Sequence, residues 1–295
     1  MDVCSPALPL LPLSTTKSHW QASLQLGFSK DGDVTRLTER KHNGPLRVQK
    51  PLYPEGEAVC HAIIIHPPGG VVGGDQLTID VKLAADTHAL VTTPGAAKWY
   101  RSNGYVSAQH INLKLDAGAR LEWLPQETIF FDDACVDLQQ TIHLAADARL
   151  IAADIFCFGR TASGETYNSG RIKQRCSIYR EDKMIWHEQG SLQGGSSAMQ
   201  SPLGLNGKSV SAMVLASGAM LSGEQLQALR EQTSALLSER EADALCGVTQ
   251  MKSVIVARYL GNSSEVARLW MQRTWQHLRP VVIGCDAKIP RIWNT

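Results

Sequence analysis

Between about Trp20 and Val214 the sequence alternates apolar and polar residues with a period of two, and no other property restricts its fold as strongly. The pattern is clearest in Trp20–Phe28, Leu77–Leu83, Ile111–Leu115, Val136–Leu144 and Lys173–Tyr179. A period of two sends successive side chains to opposite faces of an extended chain, so each segment predicts a strand with one buried face. Turn-forming clusters separate them: Lys30-Asp31-Gly32-Asp33, His42-Asn43-Gly44-Pro45, Tyr53-Pro54-Glu55-Gly56 and Glu181-Asp182-Lys183.

The strand exits also repeat. Leu83-Ala84-Ala85-Asp86-Thr87-His88-Ala89-Leu90 resembles Leu115-Asp116-Ala117-Gly118-Ala119-Arg120-Leu121, and both resemble Leu144-Ala145-Ala146-Asp147-Ala148-Arg149-Leu150. Each copy predicts an alternating strand, a small-residue corner and a second apolar strand, with a period of roughly thirty residues. Stacked coils around a shared core satisfy this pattern, and so do three ordinary hairpins with Ala/Gly/Asp turns. Either way this part of the chain is β.

The last third changes character. Ser222-Gly223-Glu224-Gln225 resembles a capping box ahead of Leu226, Leu229, Leu236 and Leu237 on one helical face. Asn262-Ser263-Ser264-Glu265 predicts the start of a second helix through Ala267, Trp270, Met271, Trp275 and Leu278, with Pro280 as its stop. Val254–Leu260, between them, reads as a strand. The expected architecture is mainly β with two C-terminal helices, in β-helix-like or solenoid-like coiled sheets. One large domain covers 17–295, β-rich over 17–215 and mixed α/β over 216–295, behind a flexible tail at 1–16.

Lys and Arg total 29 against 28 Asp and Glu, so no net field draws the chain to nucleic acid or an anionic membrane. The seven cysteines are scattered, odd in number and without a C-x-x-C pair, which argues against a disulfide framework or a structural zinc site. Met1 to Thr16 lacks the basic start and apolar core of a signal peptide, and no apolar stretch is long enough to span a bilayer. A cytoplasmic protein is expected.

The segment His66-Pro67-Pro68-Gly69-Gly70-Val71-Val72-Gly73-Gly74 predicts an unusual backbone path that presents one carboxylate, Asp75. It lacks both the Gly-Lys-Ser/Thr ending and the G-x-G-x-x-G spacing of phosphate loops, and an alternating strand follows it. No H-E-x-x-H, H-x-x-x-H or G-x-S-x-G motif occurs. Two acids stand out because they sit inside apolar strands. Asp154 shares a face with Phe156 and Phe158 in Leu150–Phe158, and Glu188 shares one with Met184 and Trp186. A buried carboxylate needs a cation, a hydrogen-bonded partner or internal water. An ion pair with Arg160, Arg171 or Arg175 is one expectation; a wet passage lined by carboxylates for a divalent cation is the other. A carbohydrate-cleaving β-solenoid using Glu122, Glu127 or Asp132, with Trp99, Tyr100, Tyr105 and Trp123 as platforms, is the enzymatic alternative.

Several longer motifs resemble one family in order and spacing. They are Gly44–Gly56, His66–Asp75, Thr93–Ser102, Leu121–Glu127 with Ile129-Phe130-Phe131, Gly159-Arg160, Gly164-Glu165, Trp275–Pro280 and Pro290–Trp293. Together they are similar to the urease accessory protein family UreD, also called UreH, over nearly everything after residue 17. Ala97 stands where that family commonly has Ser. The resemblance implies a non-catalytic, β-rich urease maturation factor with β-helix-like coiling. It implies binding to apo-urease and to UreF, which recruits the GTPase UreG. It further implies an internal tunnel conducting Ni²⁺ toward urease, with Asp75, Asp154 and Glu188 matching acids associated with that tunnel. On this reading no cofactor is tightly bound and nickel is in transit. A docking adaptor without metal passage is the other form the implied role can take.

Overall fold

Leu83, Leu115 and Leu144, the repeated strand exits, stand side by side on three neighbouring parallel strands. That register settles the choice left open by the sequence in favour of stacked coils. The computed structural model describes residues 19–294, so the tail expected at 1–16 lies outside the described residues.

The described chain opens with the hairpin β1 (Gln21–Asp31) and β2 (Val34–Asn43), then β3 (Arg47–Val48) and β4 (Val59–Ile65). The first coil runs through β5 (Gln76–Leu83), β6 (His88–Thr92) and β7 (Ala97–Trp99). The second runs through β8 (Ser107–Leu115), β9 (Arg120–Leu124) and β10 (Thr128–Phe130), and the third through β11 (Cys135–Leu144) and β12 (Arg149–Phe158). A second hairpin, β13 (Arg171–Arg180) and β14 (Lys183–Gln193), leads through the short α1 (Ser197–Gln200) to β15 (Val210–Ser217). Helix α2 (Gly223–Arg240), β16 (Leu245–Gln250), β17 (Ile255–Gly261) and α3 (Ser264–Val282) follow.

At each corner the chain leaves one sheet and enters the other. The first sheet has the order β14-β13-β11-β8-β5-β1-β2, parallel from β13 to β1 and closed by an antiparallel hairpin strand at each side. The second runs β16-β17-β15-β12-β9-β6-β4-β3, parallel from β12 to β4. Alternating strands bury their apolar parity between the two sheets, where Leu24, Ile79, Leu113, Ile142, Leu121 and Leu150 pack. The polar parity of the first sheet faces solvent, with Asn112 donating to Asp80 at 2.8 Å across neighbouring coils. The outer face of the second sheet is apolar (Ile151, Ala153, Ile155, Val214) and is covered by α2 and α3 through Leu229, Trp270, Trp275 and Leu278.

The corners are tight enough to need a particular residue. Gly118 adopts φ +67°, and a Cβ there would lie 2.1 Å from Asp86 Oδ1 of the preceding coil. Its amide donates to Asp147 Oδ1 of the following coil at 2.8 Å. Gly118→Ala should therefore lower stability by about 1–2 kcal/mol, from the left-handed backbone and the crowded corner together. Chemical denaturation checks this, and an unchanged midpoint would contradict it.

Both helical starts match their sequence signals. Ser222 and Gln225 form the capping box of α2, and the Ser263 hydroxyl accepts from Val266 N to cap α3. Pro280 differs from expectation: α3 continues through it to Val282. The amides of Ile283 and Gly284 both close on Arg279 O at 2.9 and 3.0 Å, so the last turn is held from beyond the proline.

Candidate functional site

On β12, residues alternate between the two cores. Ile151, Ala153, Ile155 and Cys157 face the helices, whereas Leu150, Ala152, Phe156 and Phe158 face the space between the sheets. Asp154 falls on the second parity and so projects between the sheets. Its row in the second sheet continues through Met213 on β15 to Arg258 on β17. In the first sheet, an inner row runs from Leu24, Ile79 and Ile111 to Gln140, Cys176 and Glu188. The interior is thus apolar in the first coils and becomes polar toward the last. Arg258 joins the sheets by donating from Nη2 to Glu188 Oε1 at 2.9 Å.

Asp154 borders three cavities. An open cleft of about 590 Å³ is lined by Asp154, Gln174, Glu188, Arg258 and the exposed Leu203 and Leu245. A small void of about 40 Å³ lies among Asp154, Gln109, Gln140, Gln174 and Cys176. A chamber of about 230 Å³ is walled by Asp154, His66, Gly69, Gly70 and residues 93–98.

Neither expected arginine pairing of the two interior acids occurs. Arg160 pairs with Glu165 at 2.7 Å and Arg175 with Gln139 at 2.6 Å, because the outward parity of β13 carries Arg171 and Arg175 away from the interior. Glu188 takes Arg258 instead, and its other oxygen is buried without a partner. Asp154 has no hydrogen bond or ion pair among the described residues. Burial, reinforced by the charge of Glu188, pushes its carboxyl up to about 7. The same burial, with both acids nearby, raises the Cys176 thiol above its ordinary range.

A carboxyl whose folded pKa lies above its unfolded value opposes folding once it ionises. The cost is absent below the unfolded value near 4, grows as pH rises to about 7, and is complete above it. Asp154→Asn should therefore be neutral at pH 4 and stabilising by up to about 4 kcal/mol at pH 8, less where cavity water screens the charge. Melting curves at both pH values check this; a stabilisation largest at pH 4 would contradict it.

Asp75 has a different setting. Its Oδ1 accepts from Trp20 N at 3.1 Å and its Oδ2 from Val72 N at 3.0 Å, so the carboxylate pins the start of β1 to the glycine loop. It does not line any of the three cavities. Its charge faces His66, whose pKa burial nevertheless lowers, and His66 does line the chamber. Pro67, Pro68, Gly69, Gly70 and Gly73 complete the loop, and Gly74 has φ +97° with the His19 ring where a Cβ would stand. Among the described residues no cluster of three or more His, Cys, Asp or Glu side chains is placed to hold a metal ion.

The enzymatic alternative finds its three acids occupied. Glu122 is fully buried and multiply bonded, Glu127 pairs with Arg268 at 3.1 Å, and Asp132 accepts from the Asn168 and Ser169 amides.

A sequence profile of the family described as UreD urease accessory protein matches residues 21–294. The chain belongs to the UreD family. A relative from Janthinobacterium sp. (strain Marseille) named urease accessory protein UreD is 59% identical over 93% of this chain and 92% of its own length. Relatives of the same name from Nitrosospira multiformis and Dechloromonas aromatica are 48% and 45% identical, covering 94% and 97% of this chain and 99% of their own lengths.

Three of the UreD motifs quoted above meet in one buried ion network. Arg279 of α3, fully buried, donates to Glu55 Oε2 and Oε1 at 2.6 and 2.8 Å and to Glu122 Oε2 and Oε1 at 2.9 and 3.0 Å. His61 Nε2 lies 2.7 Å from Glu55, His88 Nε2 lies 2.8 Å from Glu122, and Trp275 Nε1 donates to Glu122 at 2.6 Å. Burial alone would raise the pKa of both glutamates, but these donors outweigh it, lowering Glu122 and holding Glu55 at about 2. The network ties α3 to the second sheet from within. Sequence reasoning identified the motifs but not their meeting.

Sequence reasoning also missed Gln109, Gln140, Gln174 and Arg258 as lining residues. A signal existed for the glutamines, since each occupies an apolar-parity position of its strand, as Gln140 does between Leu138 and Ile142.

Proposed function

We propose that this UreD-family chain is a non-catalytic accessory factor for urease maturation in the cytoplasm. On this reading it binds apo-urease and UreF, UreF brings the GTPase UreG, and the chain conducts Ni²⁺ between them without retaining it. Asp154 carries the reading: an interior carboxylate with no partner among the described residues, bordering three cavities at once. The cleft of Glu188 and Arg258 forms one end of the passage, Asp154 its junction, and the chamber beside His66 its continuation. Asp75 serves it by fixing the loop that walls this chamber. Nickel accepts oxygen, imidazole and thiolate ligands, and one carboxylate with water and glutamine carbonyls at each step passes the ion on where a dense cage would trap it.

The ion pair of Glu188 with Arg258 favours the second reading, a docking adaptor in which these acids only tie the sheets together. Asp154→Ala separates the two. The variant chain, expressed with urease and the other accessory proteins in limiting nickel, should co-purify with them while urease-bound nickel falls. Normal nickel with the complex intact would leave the adaptor.

A further inference from the structure

Next to the chamber, on its helical side, lies a fourth cavity of about 200 Å³ between α3 and the C-terminal turn. Glu265, Arg268 and Gln272 line it, together with Trp293, whose Nε1 donates to Thr92 Oγ1 at 2.8 Å. Arg268 is held at its rim by Glu127 at 3.1 Å. Among the described residues, Gln126 alone borders both this cavity and the 230 Å³ chamber that Asp154 shares. It is 3% exposed, and its backbone amide is fixed by Thr93 Oγ1 at 2.9 Å. Its side chain makes no hydrogen bond among the described residues, and Nε2 is buried without a partner.

A buried amide left without a partner is unfavourable and is retained where something outside the chain completes it. Water, or the hydration shell of an ion, completes this one: the site is polar, roomy and adjacent to two cavities. The Glu265 carboxylate on the outer side favours a cation there. We infer that Gln126 is the neck of a second outlet, through which a hydrated divalent cation passes between the inner chamber and the surface of α3. The inference rests on the passage proposed above and adds its course and a positioning residue.

Two variants test it in cells with urease, the other accessory proteins and limiting nickel, reading nickel per urease, co-purification and melting temperature. Gln126→Leu keeps the volume and removes the polar group, so the neck becomes dry. Gln272→Trp fills the outer cavity from its half-exposed side without touching the core. Both should lose nickel delivery while co-purifying normally and melting no lower than the natural chain. Normal delivery by both variants while Asp154→Ala fails would overturn the outlet and leave the passage standing. Normal delivery by all three would overturn both. Where Gln126→Leu does not fold, Gln272→Trp decides alone, loss with the complex intact supporting the outlet and full delivery refuting it.

Discussion

Arg279→Met should lower the stability of the protein by about 3–5 kcal/mol, enough to leave much of it unfolded at growth temperature. The arginine is fully buried and satisfies both oxygens of Glu55 and both of Glu122. Methionine fills similar space but leaves two carboxylates facing each other in an apolar interior, with His61, His88 and the Trp275 indole as their remaining donors among the described residues. Removing one partner of a buried ion network costs far more than the network contributes net, because the remaining charges stay desolvated. Adding Glu55→Gln and Glu122→Gln to Arg279→Met should recover part of the loss, and melting of the single and triple variants measures it. A single variant that melts with the natural chain would show that the network holds nothing in place.

Its pH dependence has a definite sign. Glu55 is held at about 2 and Glu122 is lowered, so both are depressed relative to the unfolded chain. Their stabilisation is complete above the unfolded value near 4.3 and is lost as pH falls toward about 2. Acid should therefore release α3 from the second sheet, the opposite trend to that of Asp154.

The second large effect concerns cargo. A carboxylate close to a divalent ion in a screened interior is worth several kcal/mol, and each 1.36 kcal/mol lost at the highest point of the path slows passage about tenfold. Asp154→Asn keeps the junction wet but removes the charge, so delivery should fall by at least about tenfold in limiting nickel and recover partly in excess nickel. Asp154→Leu should do more, since it removes charge and water together, and added nickel should not restore delivery. This ordering separates conduction from scaffolding, because a scaffold tolerates both substitutions equally so long as β12 keeps its place.

The repeat was legible in its three corners, but it fitted hairpins as well as coils; only the register, which stands Leu83, Leu115 and Leu144 side by side, decides for coils. The inward aim of Asp154 was legible from parity alone, since a strand's period of two fixes its faces. For Glu188 parity held only as far as Trp186, because a bulge in β14 turns Met184, expected on the same face, out to solvent. What the sequence hid was distance. Arg279 meets Glu55 and Glu122 across separations of 224 and 157 residues, and no local pattern pairs them. The partner of Glu188 was hidden for the same reason: Arg258 lies on a strand of the other sheet. Pro280 misled because a proline near a helix end removes one donor that the following turn can replace. Gln126 belongs to the Leu121–Glu127 motif but gave no sign of a lining role, being polar in a loop where polarity is ordinary.

The nickel content of urease matured in limiting nickel with the Asp154→Leu chain, in complexes shown to be intact, bears most directly on whether the interior conducts the ion. Conduction predicts urease almost free of nickel, unrelieved by added nickel. Urease with its full complement of nickel would mean that the ion never travels past Asp154.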